Sequence, residues 1–223
     1  MEDRNLPLAV SIPVGRYSIQ GDLTIPRGSV AAVIFAHGSG SSRHSPRNKY
    51  VAETLNERGL STLLIDLLTT EEEAIDNQTA ELRFNIRILA DRLVAATDWV
   101  RQQRNLSTLR LGYFGASTGA AAALVAAAQR SDVIDAIVSR GGRPDLAGDY
   151  LAEVTAPTLL IVGERDTEVI ELNRKALKAM RGPTELQIVP YATHLFEEPG
   201  ALEQVASRAR WWFEEKLIHH EAA

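Results

Sequence analysis

A serine between two glycines, a histidine and an aspartate each follow an apolar run, and their types and spacing suit nucleophilic acyl transfer. The segment Gly115-Ala116-Ser117-Thr118-Gly119 lies between an apolar run at 109–114 and an alanine-rich stretch at 118–129. In such a G-x-S-x-G pattern the glycines let a strand and a helix pass closely, and the serine hydroxyl is exposed at the tight turn between them. The helix start behind it favours developing negative charge. The competing reading, a small-residue turn with Ser117 as an ordinary helix cap, is weakened by the strand and helix on either side.

A serine nucleophile needs a general base, and the sequence has five histidines: His37, His44, His194, His219 and His220. His194 stands in Pro190-Tyr191-Ala192-Thr193-His194-Leu195-Phe196, after an apolar run at 186–189 and before the last helical segment. That is where a loop can reach the serine. His219 and His220 sit in a polar tail and read as solvated. The base in turn needs a carboxylate to fix its tautomer and stabilise the imidazolium. Asp166, in Gly163-Glu164-Arg165-Asp166 after the run at 158–162, is the first choice. Glu164 on the same loop and Asp66 at another strand end are its rivals, and Asp166 has an alternative use as cap of the helix that follows. The order Ser117, Asp166, His194 is the chain order described for α/β-hydrolases.

Acyl transfer also needs donors for the oxyanion. The amide of Thr118, the residue after the nucleophile, is one candidate. The other is expected from His37-Gly38-Ser39-Gly40-Ser41-Ser42, with Ser39 preferred and Gly40 second. A phosphate-binding nest is the rival use of this loop, but it has neither the lysine of a P-loop nor G-x-G-x-x-G spacing. His37 is expected to brace the loop. Arg43, His44 and Arg47 follow it, and Arg140 and Arg143 follow another strand end. Arg43 and Arg140 are candidates to attract a substrate carboxylate, against the plainer alternative of surface ion pairs. Absence of cysteine excludes thiol nucleophiles, disulfides and cysteine-ligated metals. No three-ligand histidine–carboxylate cluster stands out, so neither a metal nor another cofactor is expected.

These residues must be positioned by the elements between them. Residues 11–25 read as an antiparallel hairpin around Gly15-Arg16. Continuous apolar runs at 30–36, 61–65, 109–114, 136–138, 158–162 and 186–189 read as strands buried on both faces. Helical patterns at 80–104, 118–129, 168–180 and 201–217 alternate with them. The expectation is one α/β domain over residues 1–223, a doubly wound, mostly parallel sheet of about eight strands opened by an antiparallel hairpin. In such sheets ligands bind beyond the carboxyl ends of the strands, where all the candidate residues fall. The segment between Asp66 and Ala80, with its acidic run 71–73, and the segment 139–149 read as short loops without room for a large lid. An open site and short acyl groups are therefore expected. Trp211, Trp212 and Phe213 cannot share one helix face, so an exposed aromatic would suggest a partner surface; that alone does not imply a dimer, and the oligomeric state, a homodimer included, is left open by the sequence.

Composition agrees. The 223 residues, 45% hydrophobic and 24% charged, suit one globular domain. With 24 basic and 29 acidic residues, a net charge of −5 offers no footprint for nucleic acid. The longest apolar run, 120–128, is too short to span a membrane. The N-terminus shows no secretory signal pattern, so a cytoplasmic location is expected.

With H-G-S-G-S-S at 37–42, G-A-S-T-G at 115–119, G-E-R-D at 163–166 and A-T-H-L-F at 192–196, the chain resembles the α/β-hydrolases, and among them the dienelactone-hydrolase-like family. The resemblance implies hydrolysis of an ester or lactone through an acyl-enzyme. The best-known members use a cysteine nucleophile. Ser117 in its place points to a serine carboxylesterase acting on a small ester, with a thioesterase, a lactonase, a peptidase or a non-catalytic module as alternatives.

Overall fold

The computed structural model describes residues 6–219. The first residues of the segment read for a secretory signal, and His220, lie outside them. Eight strands form one sheet in the order β1-β2-β4-β3-β5-β6-β7-β8. Strands β1 (Leu8–Val14) and β2 (Tyr17–Thr24) form the expected antiparallel hairpin, turning at Gly15-Arg16. Strand β2 runs antiparallel to β4 (Ser61–Ile65). Strands β3 (Ala31–Ala36), β5 (Arg110–Ala116), β6 (Ile134–Arg140), β7 (Thr158–Gly163) and β8 (Thr184–Val189) continue in parallel.

Both faces are covered, which is why the central strands are continuously apolar. On β3, Ala32, Ile34 and Ala36 face a core shared with α3 (Ile86–Gln102) and α4 (Thr118–Gln129). Ala31, Val33 and Phe35 face a second core shared with α1 (Pro46–Asn56) and α6 (Ala201–Phe213). Helix α5 (Thr167–Ala179) closes the β7–β8 edge. Trp212 and Phe213 are fully buried while Trp211 stays half-exposed, and the chain then widens into a π turn over Glu214–Ile218.

Two segments differ from their reading as loops. The acidic run lies in a helix, α2 (Thr70–Thr79). Thr69 accepts from the Glu72 amide and the Glu72 carboxylate accepts from the Thr69 amide, a reciprocal cap. Three glutamates in the first turn also suit the helix dipole. Residues Pro144–Glu153 form short 3-10 turns kinked at Gly148. The single long stripe expected over 80–104 is split into a 3-10 turn at Leu82–Phe84 and α3, which starts where the Asn85 side chain caps the Ile88 amide.

Within the α3–β5 contact, Tyr113 is fully buried and its hydroxyl meets Thr97 Oγ1, which itself donates to the Leu93 carbonyl. The tyrosine must therefore be the donor, and burial pushes its phenol pKa up. Thr97→Val, which strands that donor, is expected to cost about 1–3 kcal/mol in urea denaturation, more than Tyr113→Phe, which removes it.

Candidate active site

The strand order reverses between β3 and β5: from β3 the next strand lies to one side, and β5 lies to the other. A crevice opens at such a reversal beyond the strand ends. Here the loop 37–42 leaves β3 and the turn at Ser117 leaves β5.

Ser117 has φ 51° and ψ −120°, a left-handed backbone that costs a side-chain-bearing residue roughly 1–2 kcal/mol. The surroundings hold it there. Its amide donates to the Arg140 carbonyl (3.2 Å), and its carbonyl accepts from the amides of Ala120 (3.1 Å) and Arg143 (3.1 Å). The close passage needs the following glycine. A Cβ at Gly119 would lie 2.3 Å from the His37 carbonyl oxygen and 2.5 Å from that of Ala36. Ser117 occupies the N-cap position of α4, yet its hydroxyl makes no capping bond.

Asp166 repeats this pattern. It stands at the N-cap of α5 without capping it. Its Oδ2 instead lies 2.6 Å from Nδ1 of His194. The two loops are joined along their backbones: Glu164 donates to the Val189 carbonyl and Arg165 to that of Ala192. Gly163 allows this contact, since a Cβ there would lie 2.4 Å from the Ala192 oxygen. The rival carboxylates are engaged elsewhere. Glu164 accepts from the Tyr191 amide at 2.7 Å, and Asp66 pairs with Arg43. Glu198, which sequence reasoning passed over, takes the Thr193 amide beside the imidazole and is held below the usual carboxylate pKa range by that bonding.

Ser117, His194 and Arg140 line one cleft of about 590 Å³, including its open mouth, with Gly38, Ser39, Ser41, Ser45, Arg47 and Leu195. Nδ1 of the imidazole faces the carboxylate, which leaves Nε2 for a partner in this cleft. A second cleft, on the other side of Ser39, is lined by Thr118, Gly40, Arg83, Asp76 and Glu73, so α2 forms its wall. The hydroxyls of Ser39 and Thr118 lie 2.9 Å apart and tie the β3 loop to the α4 start. Among the described residues no acceptor takes the amide of either one.

His37 braces this loop. Nδ1 donates to the Gly38 carbonyl (2.9 Å), and Nε2 accepts from the Leu67 amide (3.1 Å). That bonding fixes a neutral ring, and burial lowers its pKa. The two candidate arginines part company. Arg43 is absent from the cleft walls, its guanidinium being paired with Asp66 and Asp22. His44 and Arg143 are likewise turned to carboxylates, Asp22 and Asp145. Arg140 lies in the cleft wall, 7% exposed. Among the described residues no group of three or more histidine and carboxylate side chains is placed to hold a metal ion. No described helix is long and apolar enough to cross a membrane.

The model of the dienelactone hydrolase family matches residues 19–217. The chain belongs to that family, which is one of hydrolases. A crystal structure of a dienelactone hydrolase from Anabaena variabilis is 57% identical, covers 95% of this chain and 98% of its own, and superposes with a TM-score of 0.93. Two Mycobacterium tuberculosis strains carry a protein, named provisionally as a phosphoribosyl transferase, that is 55% identical over 208 residues. The match takes in 93% of this chain but 46% of theirs, so the chain spans about half the length of these curated relatives. A Xanthomonas campestris serine hydrolase without a lid shares the fold at 22% identity, with 97% of each chain covered and a TM-score of 0.76.

Gly119→Ala should lower stability by at least about 2 kcal/mol in denaturant titration, because the clash is with backbone carbonyls that cannot rotate away. His37 gives a pH dependence of defined sign. Its folded pKa lies below the unfolded value of about 6.5, so its stabilisation is complete above that pH and lost as pH falls toward the folded value. Wild type should therefore lose more stability than His37→Asn between pH 7 and pH 5. Equal losses would show that the ring is not held neutral.

Proposed function

We propose that this protein is a serine hydrolase of small carboxylic esters, with Ser117 as nucleophile, His194 as general base and acid, and Asp166 as the group that orients the imidazole. The observation that carries the reading is that Ser117 and Asp166 each stand at a helix N-cap and leave it uncapped. Ser117 lines the cleft that His194 also lines, and the Asp166 carboxylate meets Nδ1 of that same ring.

The chemistry follows from the positions. Ser117 Oγ attacks the ester carbonyl as His194 Nε2 takes its proton. The amides of Ser39 and Thr118 receive the oxyanion, a contribution of ~3–4 kcal/mol per donor in acyl transfer. His194 then protonates the leaving alcohol. Water, deprotonated by the same nitrogen, releases the acid and restores Ser117. The modest cleft favours short acyl groups. Cyclic esters suit the same steps, and the 57% identical relative is itself named a dienelactone hydrolase.

A ladder of p-nitrophenyl esters of increasing acyl length tests the reading. Turnover should be greatest for the shortest chains and fall by about 10⁴-fold or more in Ser117→Ala. A fluorophosphonate should label Ser117 in wild type. Undiminished hydrolysis by Ser117→Ala would overturn the assignment.

A further inference from the structure

Helix α5 turns an apolar face inward, with Val169, Ile170 and Ala176 buried on it, and one polar side chain shares that face: Asn173, which is fully buried. Burying an amide is unfavourable unless its polar atoms are paired. Here the pairing is incomplete. Nδ2 donates to the Val169 carbonyl (2.8 Å), one turn back in the same helix, and to the Gly142 carbonyl (3.0 Å), while Oδ1 has no partner. Alanine or leucine would suit the helix better. What neither could supply is the bond to Gly142.

Gly142 belongs to the segment that brackets the serine turn. The Arg140 carbonyl accepts from the Ser117 amide and the Arg143 amide donates to the Ser117 carbonyl, so the two peptide groups that flank the left-handed residue both end on this segment. The Gly141 amide donates to the Ile161 carbonyl of β7 (2.8 Å), the strand that leads to Asp166. The segment also runs against the His194 loop, since a Cβ at Gly141 would lie 3.2 Å from the His194 carbonyl oxygen. Residues 141–143 lie between β6 and the 3-10 turns and belong to neither, so the bonds they share with neighbours fix where they stand.

We propose that Asn173 is a positioning residue for Ser117. Its amide pins the Gly142 carbonyl to α5, the helix that opens at Asp166, and so holds the serine turn in register with the carboxylate and the imidazole. This rests on the hydrolase reading above for the chemistry, and on geometry alone for the hold on the turn. Asn173 touches no reacting atom. Its polar atoms specify one arrangement of loop against helix that an apolar side chain would leave loose.

Asn173→Ala and Asn173→Leu both remove the bond, and the leucine keeps the site filled should the alanine variant fail to fold. The substrate is p-nitrophenyl acetate, at a temperature where circular dichroism shows the variant fully folded. There kcat should fall by about tenfold or more, in line with a small misplacement of reacting groups, while KM stays within about twofold. Amide hydrogen exchange followed by NMR reads the hold directly and needs no turnover. The amides of Ser117 and Arg143 should exchange about tenfold or more faster in the variants, and those of Leu111 and Tyr113 in β5 should change less. Unchanged kcat in a folded variant would overturn the proposal, as would a rise in KM at constant kcat. Exchange quickened by one common factor at the serine turn and in β5 is the mark of a merely structural role and overturns it too, as does failure of both variants to fold. If wild type neither hydrolyses the ester nor takes up the fluorophosphonate, the hydrolase reading fails, and the exchange comparison alone decides whether Asn173 holds the turn.

Discussion

The site depends on how closely α4 crosses the ends of β3 and β5. Backbone meets backbone there with no room for a methyl group at Gly119. The turn between strand and helix is forced to be tight, and Ser117 takes a left-handed conformation that only an over-determined surrounding can hold. The same crossing sets the β3 loop against the start of α4, where the hydroxyls of Ser39 and Thr118 meet. The proposed nucleophile and the proposed oxyanion donors are thus consequences of one packing contact, and the two cores on either side of the sheet keep that contact closed.

Most of this was legible because each candidate residue was tied to a local pattern. Continuous apolar runs marked doubly covered strands, and the residues just past them are those that line the cleft. The glycines around Ser117 and before Asp166 had to be glycine for backbone reasons, so their positions in the sequence carried geometric information. The capping role of Asp166 was the open alternative at its position. What decides against it is a distance between residues 28 apart in the chain, which no local pattern reports.

The misreadings have equally local causes. Helix α2 was missed because its acidic run suggests solvation. Thr69-Thr70-Glu71-Glu72 nevertheless holds the threonine-to-glutamate spacing of a reciprocal cap, a signal that was available. Arg43 and Arg140 looked alike in sequence, both following strand ends. Only the fold shows that one meets two aspartates while the other meets none. Ion pairing between distant segments has no signature along the chain. Glu198 escaped notice for the same reason, because its carboxylate is defined by the amide it receives.

The proposed relay is also unevenly supported. Ser117 leaves a central strand buried on both faces, whereas His194 hangs on the loop after β8, an edge strand that is mostly only partly buried. Warming should loosen the sheet margin before its middle. The loop that carries His194 would then part from the turn that holds Ser117 while the core is still intact, so that the proposed activity is lost at temperatures where the chain remains folded and returns on cooling.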